Sequence, residues 1–68
     1  MRQVIIYPDE DGMWIAECPS LPGCISQGAS REDAVQNIRG AIELYVEGLE
    51  EDHRPIPVDT SEAFFVAV

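Results

Sequence analysis

The chain has 68 residues, enough for a single domain over 1–68, and 46% of them are apolar, too many for a disordered tail. Thirteen acidic residues against four arginines give a formal net charge of −9, which argues against direct recognition of nucleic acid phosphates and favours a basic protein partner. No apolar run approaches the roughly 20 residues of a membrane span, and the apolar start is too short for an export signal. We therefore expect a cytoplasmic protein.

Three short strands are predicted in the first part of the chain, at residues 2–7, 13–18 and 24–27. The first is rich in β-branched side chains, which favour strands. The Asp11-Gly12 pair that follows it is typical of the turn of a β-hairpin. Side chains of the returning strand alternate between two faces, and we expect Trp14, Ala16 and Cys18 to face the core.

A long amphipathic helix is predicted from about Arg31 to Leu49, with Ser30 as its N-cap residue. After two prolines, the largely apolar segment 62–68 predicts a fourth strand. The element order β-β-β-α-β indicates an α+β fold with one helix on one face of a mostly antiparallel sheet. A right-handed crossover through the helix gives the strand order 3-2-1-4. The predicted apolar stripe of the helix is Ala34, Val35, Ile38, Ala41, Ile42, Tyr45, Val46 and Leu49.

Residues 18–28 contain both cysteines of the chain. This segment has three possible interpretations: a metal site, a disulfide loop or a turn between strands. Cys18, Cys24 and His53 supply three soft ligands, whereas a structural zinc site takes four at closer spacing. A disulfide would not persist in a reducing compartment. We therefore expect a turn with two small, semi-buried cysteines and no bound metal.

The acidic side chains do not indicate a catalytic centre. Asp9, Glu10 and Asp11 occupy a hairpin tip, where side chains spread into water, so their spacing with Glu17 does not predict a magnesium site. The serines have one distant histidine and no recognisable nucleophile elbow. We expect no enzymatic activity and no cofactor.

The acidic run Glu50, Glu51 and Asp52 follows the helical pattern and has two interpretations. In the first, the helix ends at Gly48 and the run is a loop. In the second, the run is a docking surface for a basic partner. The residues alone leave both open.

The order of residues over roughly 4–57 resembles the HicB-like antitoxins. The resemblance implies a β-β-β-α-β fold, described for that family as a partial, catalytically silent RNase H-like sheet. It also implies that residues 18–28 form the turn between the second and third strands. The matching positions are Asp11-Gly12, Trp14, Pro19, Leu21-Pro22-Gly23-Cys24, Gly28, Ala34, Asn37-Ile38, Ala41-Ile42 and Tyr45.

In that family, the module covers the active site of HicA, a small basic ribonuclease toxin. The resemblance therefore implies an antitoxin that inhibits an mRNA-cleaving toxin sterically. Many members of the family carry a C-terminal DNA-binding segment, but this sequence departs from them because it ends at Val68 with no basic segment. We therefore expect no direct nucleic acid binding. The alternative is a stand-alone oligomeric scaffold of the same family without a toxin partner. The residues expected at the partner surface are Asp9, Glu10, Asp11, Leu21, Pro22, Glu50 and Glu51.

Self-association is predicted from the fourth strand. Residues 63–68 are apolar at every position, and one helix can shield only one face of a four-stranded sheet. An uncovered apolar face or edge is typical of an interface. We therefore expect a homodimer or higher homo-oligomer, with an interface that includes Phe64, Phe65 and Val66.

Overall fold

The computed structural model describes residues 2–59 and 66–67. In this part of the chain, three strands precede one helix: β1 (Ile5–Pro8), β2 (Trp14–Glu17), β3 (Ile25–Gly28) and α1 (Arg31–Glu51). The strands form an antiparallel sheet in the order β1-β2-β3. The α+β class and the order of these four elements are confirmed.

The predicted fourth strand, and with it the order 3-2-1-4, falls mostly on residues outside those described. Val66 and Ala67 are described, are exposed and belong to no strand. After α1 the chain returns to the segment that precedes β1. There the backbone amide of Gln3 donates a hydrogen bond to the Asp59 carboxylate.

Asp9 closes the hairpin between β1 and β2. Its carboxylate accepts hydrogen bonds from the backbone amides of Asp11 and Met13, both at 2.9 Å. Gly12 has a φ of 83°, a left-handed conformation that glycine adopts without steric cost. The Asp9 side chain is therefore engaged in shaping the turn.

The turn between β2 and β3 is anchored by Leu21, whose side chain is completely buried. The Leu21 amide donates to the Cys18 carbonyl, and the Cys24 amide donates to the Leu21 carbonyl, each at 3.0 Å. Both cysteines are buried and free. The prediction of a turn that contains two core cysteines is confirmed, although both are buried more completely than expected.

Two side chains of α1 attach the helix to the sheet. The side-chain amide of Asn37 donates to the Gln27 carbonyl of β3 at 2.8 Å. The Tyr45 hydroxyl donates to the Pro22 carbonyl at 2.9 Å. These bonds hold α1 alongside β3 and fix the proline-containing turn against the helix.

The core lies between α1 and the side of the sheet that faces it. Trp14, Ala16 and Cys18 all face this core, as predicted, but Trp14 remains half-buried. The apolar stripe of the helix is buried most deeply in its first half. The buried core residues are Ala16, Cys18, Leu21, Cys24, Ala34 and Ile38.

The interpretation that the helix ends at Gly48 is wrong, because α1 continues to Glu51. His53 adopts a φ of 54° beyond the helix, and the Arg54 amide donates to the Leu49 carbonyl at 2.9 Å. This arrangement satisfies a terminal carbonyl in the way that a left-handed residue after a helix usually does. Within residues 2–59 and 66–67, no helix has the length and apolar character of a membrane span.

At its N-terminal end, α1 lies so close to the end of β3 that a side chain at position 28 has no room. Ser30 accepts a hydrogen bond from the Asp33 amide at 3.1 Å and caps the helix as predicted. A Cβ atom on Gly28 would lie 2.5 Å from the backbone nitrogen of Ala34. Because this neighbour is backbone, it cannot move aside as a flexible side chain would.

We predict that Gly28→Ala lowers the free energy of unfolding by about 2 kcal/mol, because the added methyl forces β3 and α1 apart. Gly40→Ala is the matched control, since a Cβ at Gly40 has no neighbour within 4 Å. In the exposed helix this control should gain up to about 1 kcal/mol. Urea denaturation followed by circular dichroism measures both changes, and equal stabilities of the two variants would contradict the close approach.

Candidate functional site

The side of the sheet that points away from α1 is the candidate functional site. Because successive side chains of a strand point to opposite faces, the residues next to the helix-facing ones along each strand lie on this side. Cross-strand pairing arranges them in two rows, with Glu17 central in one and Ile15 central in the other. The six residues, called the outer face below, are Ile5, Tyr7, Ile15, Glu17, Ile25 and Gln27.

The first row places a carboxylate between two exposed isoleucines. Glu17 on the central strand pairs with Ile5 of β1 and with Ile25 of β3. The side chains of Ile5 and Ile25 are 51% and 57% exposed, while Glu17 is half-buried. The row therefore exposes apolar side chains on both sides of a charge, an arrangement that a protein partner can cover.

The second row adds an aromatic hydroxyl beside the carboxylate. Tyr7 pairs with Ile15 and lies diagonally across from Glu17, within reach of a long side chain. Partial burial and the neighbouring Glu17 carboxylate raise the pKa of Tyr7 above its ordinary value. The phenol hydroxyl can donate a hydrogen bond to the carboxylate, which is one of the causes of the raised pKa.

A shallow depression continues the first row toward the turn between β2 and β3. Exposed prolines of that turn border it on one side, and the buried Leu21 and Cys24 lie beneath it. It is called the Glu17 notch below, and its outward residues are Ile5, Glu17, Pro19, Pro22 and Ile25.

The structure separates the acidic residues that were predicted to meet a partner. Glu10 and Asp11 are exposed at the end of the sheet where α1 begins, whereas Glu50 and Glu51 lie in the last turn of α1. A helix of 21 residues is about 30 Å long, so the two groups are at opposite ends. Since Tyr45 contacts the turn between β2 and β3, the second group lies at the same end as the Glu17 notch.

Leu21 is a correction to the predicted partner surface. Its side chain is fully buried, because it anchors the turn in the core, and it offers no surface to a partner. The adjacent Pro22 is exposed. Phe64 and Phe65, predicted at an oligomer interface, lie outside the described residues, while Val66 is 66% exposed.

The sheet face that the helix leaves uncovered was predicted as a self-association interface, but its individual residues were not predicted to contact a partner protein. Glu17 was weighed only as a member of a magnesium cluster, and Ile5 and Ile25 only as strand residues. The available signal was the alternation that placed Trp14 and Ala16 toward the core. The same alternation places Glu17 and its apolar neighbours on the opposite face, where no predicted element covers them.

Two kinds of side chain among the described residues bear on chemical reactivity, the possible metal ligands and the buried thiols. Within residues 2–59 and 66–67, no group of three or more His, Cys, Asp or Glu side chains could hold a metal ion. Burial and the neighbouring Cys18 raise the pKa of the Cys24 thiol. The thiol form is a weak nucleophile, so this cysteine behaves as a core residue.

The amino-acid sequence is similar to those of known proteins. A model of the HicB-like antitoxins of bacterial toxin–antitoxin systems matches residues 3–66. A UPF0150 protein of Thermoplasma acidophilum is 43% identical over 63 residues, which cover 93% of this chain and 91% of the relative. A UPF0150 protein of Synechocystis is 50% identical over 54 residues, covering 79% and 68% of the two chains.

A third relative, a UPF0150 protein of Helicobacter pylori, is 52% identical over 48 residues, which cover 71% of this chain and 65% of the relative. No solved structure matches the chain with significance. The family model covers nearly the whole sequence, including every described strand and the helix. The chain is therefore a member of the HicB-like antitoxin family of bacterial toxin–antitoxin systems.

Proposed function

We propose that this protein binds a small, basic, mRNA-cleaving toxin of the HicA type and inhibits it sterically. The match of the family model to residues 3–66 is the observation that carries this proposal. The net charge of −9 supports it, because opposite charges accelerate the encounter with a basic protein and disfavour wrong partners.

Steric inhibition needs a surface that covers the toxin's active site and does not need a reactive group. The outer face supplies exposed apolar area at Ile5 and Ile25 with a carboxylate between them. A stable protein–protein interface buries about 800 Å² on each partner, more than six residues provide. We therefore propose that exposed Pro22 and the acidic residues around the sheet extend the contact.

The acidic residues take different parts in this proposal. Glu50 and Glu51, at the notch end of α1, attract the basic toxin to that end of the molecule. Glu10 and Asp11, at the far end of the sheet, contribute mainly to the long-range field. Asp9 adds its charge while its carboxylate holds the hairpin.

We predict that this protein suppresses RNA cleavage by a HicA-type toxin from the same genome when the two are mixed at equal concentration. Inhibition should weaken as salt rises, because screening reduces the attraction between acidic and basic surfaces. A fluorescent RNA substrate reports cleavage, and the protein without toxin is the control for nuclease activity of its own. Undiminished cleavage at a several-fold excess of this protein would contradict the proposal.

We further propose that the protein self-associates through the residues predicted at its apolar C-terminal segment, Phe64, Phe65 and Val66. The exposed side chain of Val66 and the sequence of the segment support this proposal. A homodimer is the simplest closed assembly that one such surface can form.

Light scattering at micromolar concentration tests self-association. We predict a mass of at least twice the 7.5 kDa of the single chain. Phe65→Asp should return the mass to that of the monomer while preserving the helical circular dichroism signal. A wild-type mass near 7.5 kDa would contradict the prediction.

A further inference from the structure

Glu17 occupies an unusual position for a carboxylate. It lies on the central strand of the described sheet, so both of its cross-strand neighbours are fixed, and both are exposed isoleucines. Pro19 and Pro22 border the same depression. A charge surrounded by apolar side chains is less completely hydrated than one on an open helix surface, and it interacts more strongly with an opposite charge.

The outer face itself does not supply that opposite charge. Its six residues contain one carboxylate, one phenol, one amide and three isoleucines, and none of them is cationic. Tyr7 offers a neutral hydroxyl to Glu17, whereas an ionised carboxylate can accept several hydrogen bonds. Acceptor capacity therefore remains for a donor that comes from outside the sheet.

We propose that the Glu17 notch binds an arginine side chain of the basic protein partner. The guanidinium group pairs with the Glu17 carboxylate, and the aliphatic part of the arginine lies between Ile5 and Ile25. The exposed faces of Pro19 and Pro22 close the notch on the side of the turn. This inference rests on the proposed function, and it specifies which chemical group of the toxin is recognised.

Arginine suits this notch better than lysine for two reasons. Its planar guanidinium presents two parallel N–H donors to one carboxylate, whereas an ammonium group makes a less directional contact. It is also more weakly hydrated than an ammonium group, so placing it beside isoleucine and proline costs less. The net charge of −9 favours a partner with exposed cations.

The decisive comparison is between Glu17→Gln and Glu47→Gln. Both variants replace a carboxylate by an amide of the same size and change the net charge equally, but Glu47 is exposed on α1, away from the outer face. In titration calorimetry with the HicA-type toxin, we expect Glu17→Gln to weaken binding by about 10- to 100-fold, since a charge-assisted hydrogen bond is lost. Glu47→Gln should stay within about twofold of wild type, as an exposed charge contributes little.

Ile25→Thr provides a second measurement that does not alter the charge. It keeps a β-branched residue in β3 and removes apolar area from the wall of the notch, so we expect binding to weaken while circular dichroism remains native. Wild-type affinity in Glu17→Gln would overturn the inference. Equal losses in Glu17→Gln and Glu47→Gln would also overturn it, because they would indicate a general effect of charge.

Failure of the proposed function is distinguishable from failure of this inference. If the wild-type protein does not bind the toxin, the proposed function fails, and the notch is then tested with N-acetyl-arginine amide and its neutral analogue N-acetyl-citrulline amide. Methyl shifts of Ile5 and Ile25 that respond to the arginine compound alone support the inference. Identical responses to the two compounds, or no response to either, overturn it.

Discussion

A single helix covers only one side of the sheet, and the rest of the described structure follows from this constraint. The side that faces α1 contains the core, in which Ala16 and Ile38 are almost completely buried. The side that faces away still carries Ile5 and Ile25, each more than half exposed. In a small domain such residues weaken solubility, and their retention on one face is understandable if a partner covers them.

The same packing that builds the core also shapes the proposed binding surface. Leu21 inserts into the core, and Tyr45 holds the carbonyl of Pro22, so the turn between β2 and β3 is fixed from both sides. The prolines that border the Glu17 notch therefore do not have to become ordered when a partner binds. A surface organised before binding loses less conformational entropy on association. If the partner binds as proposed, stability and recognition depend on the same few contacts.

Much of the fold could be predicted because local sequence signals agree with the final packing. The β-branched first strand, the Asp11-Gly12 turn and the Ser30 cap all mark elements that the structure contains. The end of α1 was harder, because Gly48 has the local signature of a stop, yet the chain ends its helix with His53 in a left-handed conformation. The residue at which the helix ends therefore depends on hydrogen bonds that form only after the helix is complete.

The site was less accessible to sequence reasoning than the fold. Leu21, between two prolines, looks like an exposed turn residue, and only its packing against the core shows that it is buried. The pairing of Glu17 with Ile5 and Ile25 depends on the registers of two hairpins, which no single strand specifies. Acidic side chains were predicted as one partner surface, whereas the fold places them at both ends of α1. Membership of the HicB-like antitoxin family gives the class of function, whereas the assignment of that function to the outer face is our proposal.

The central claim is that the partner binds the outer face and not the helix. Isoleucine methyl groups report on both sides of the sheet, because Ile5, Ile15 and Ile25 lie on the outer face while Ile38 and Ile42 of α1 pack against the core on the other side. Methyl NMR spectra of the protein alone and with a HicA-type toxin measure the contact directly. The account predicts shifts or broadening at the three outer-face methyls, with much smaller changes at the other two. Changes confined to Ile38 and Ile42, with the outer-face methyls unaltered, would contradict it.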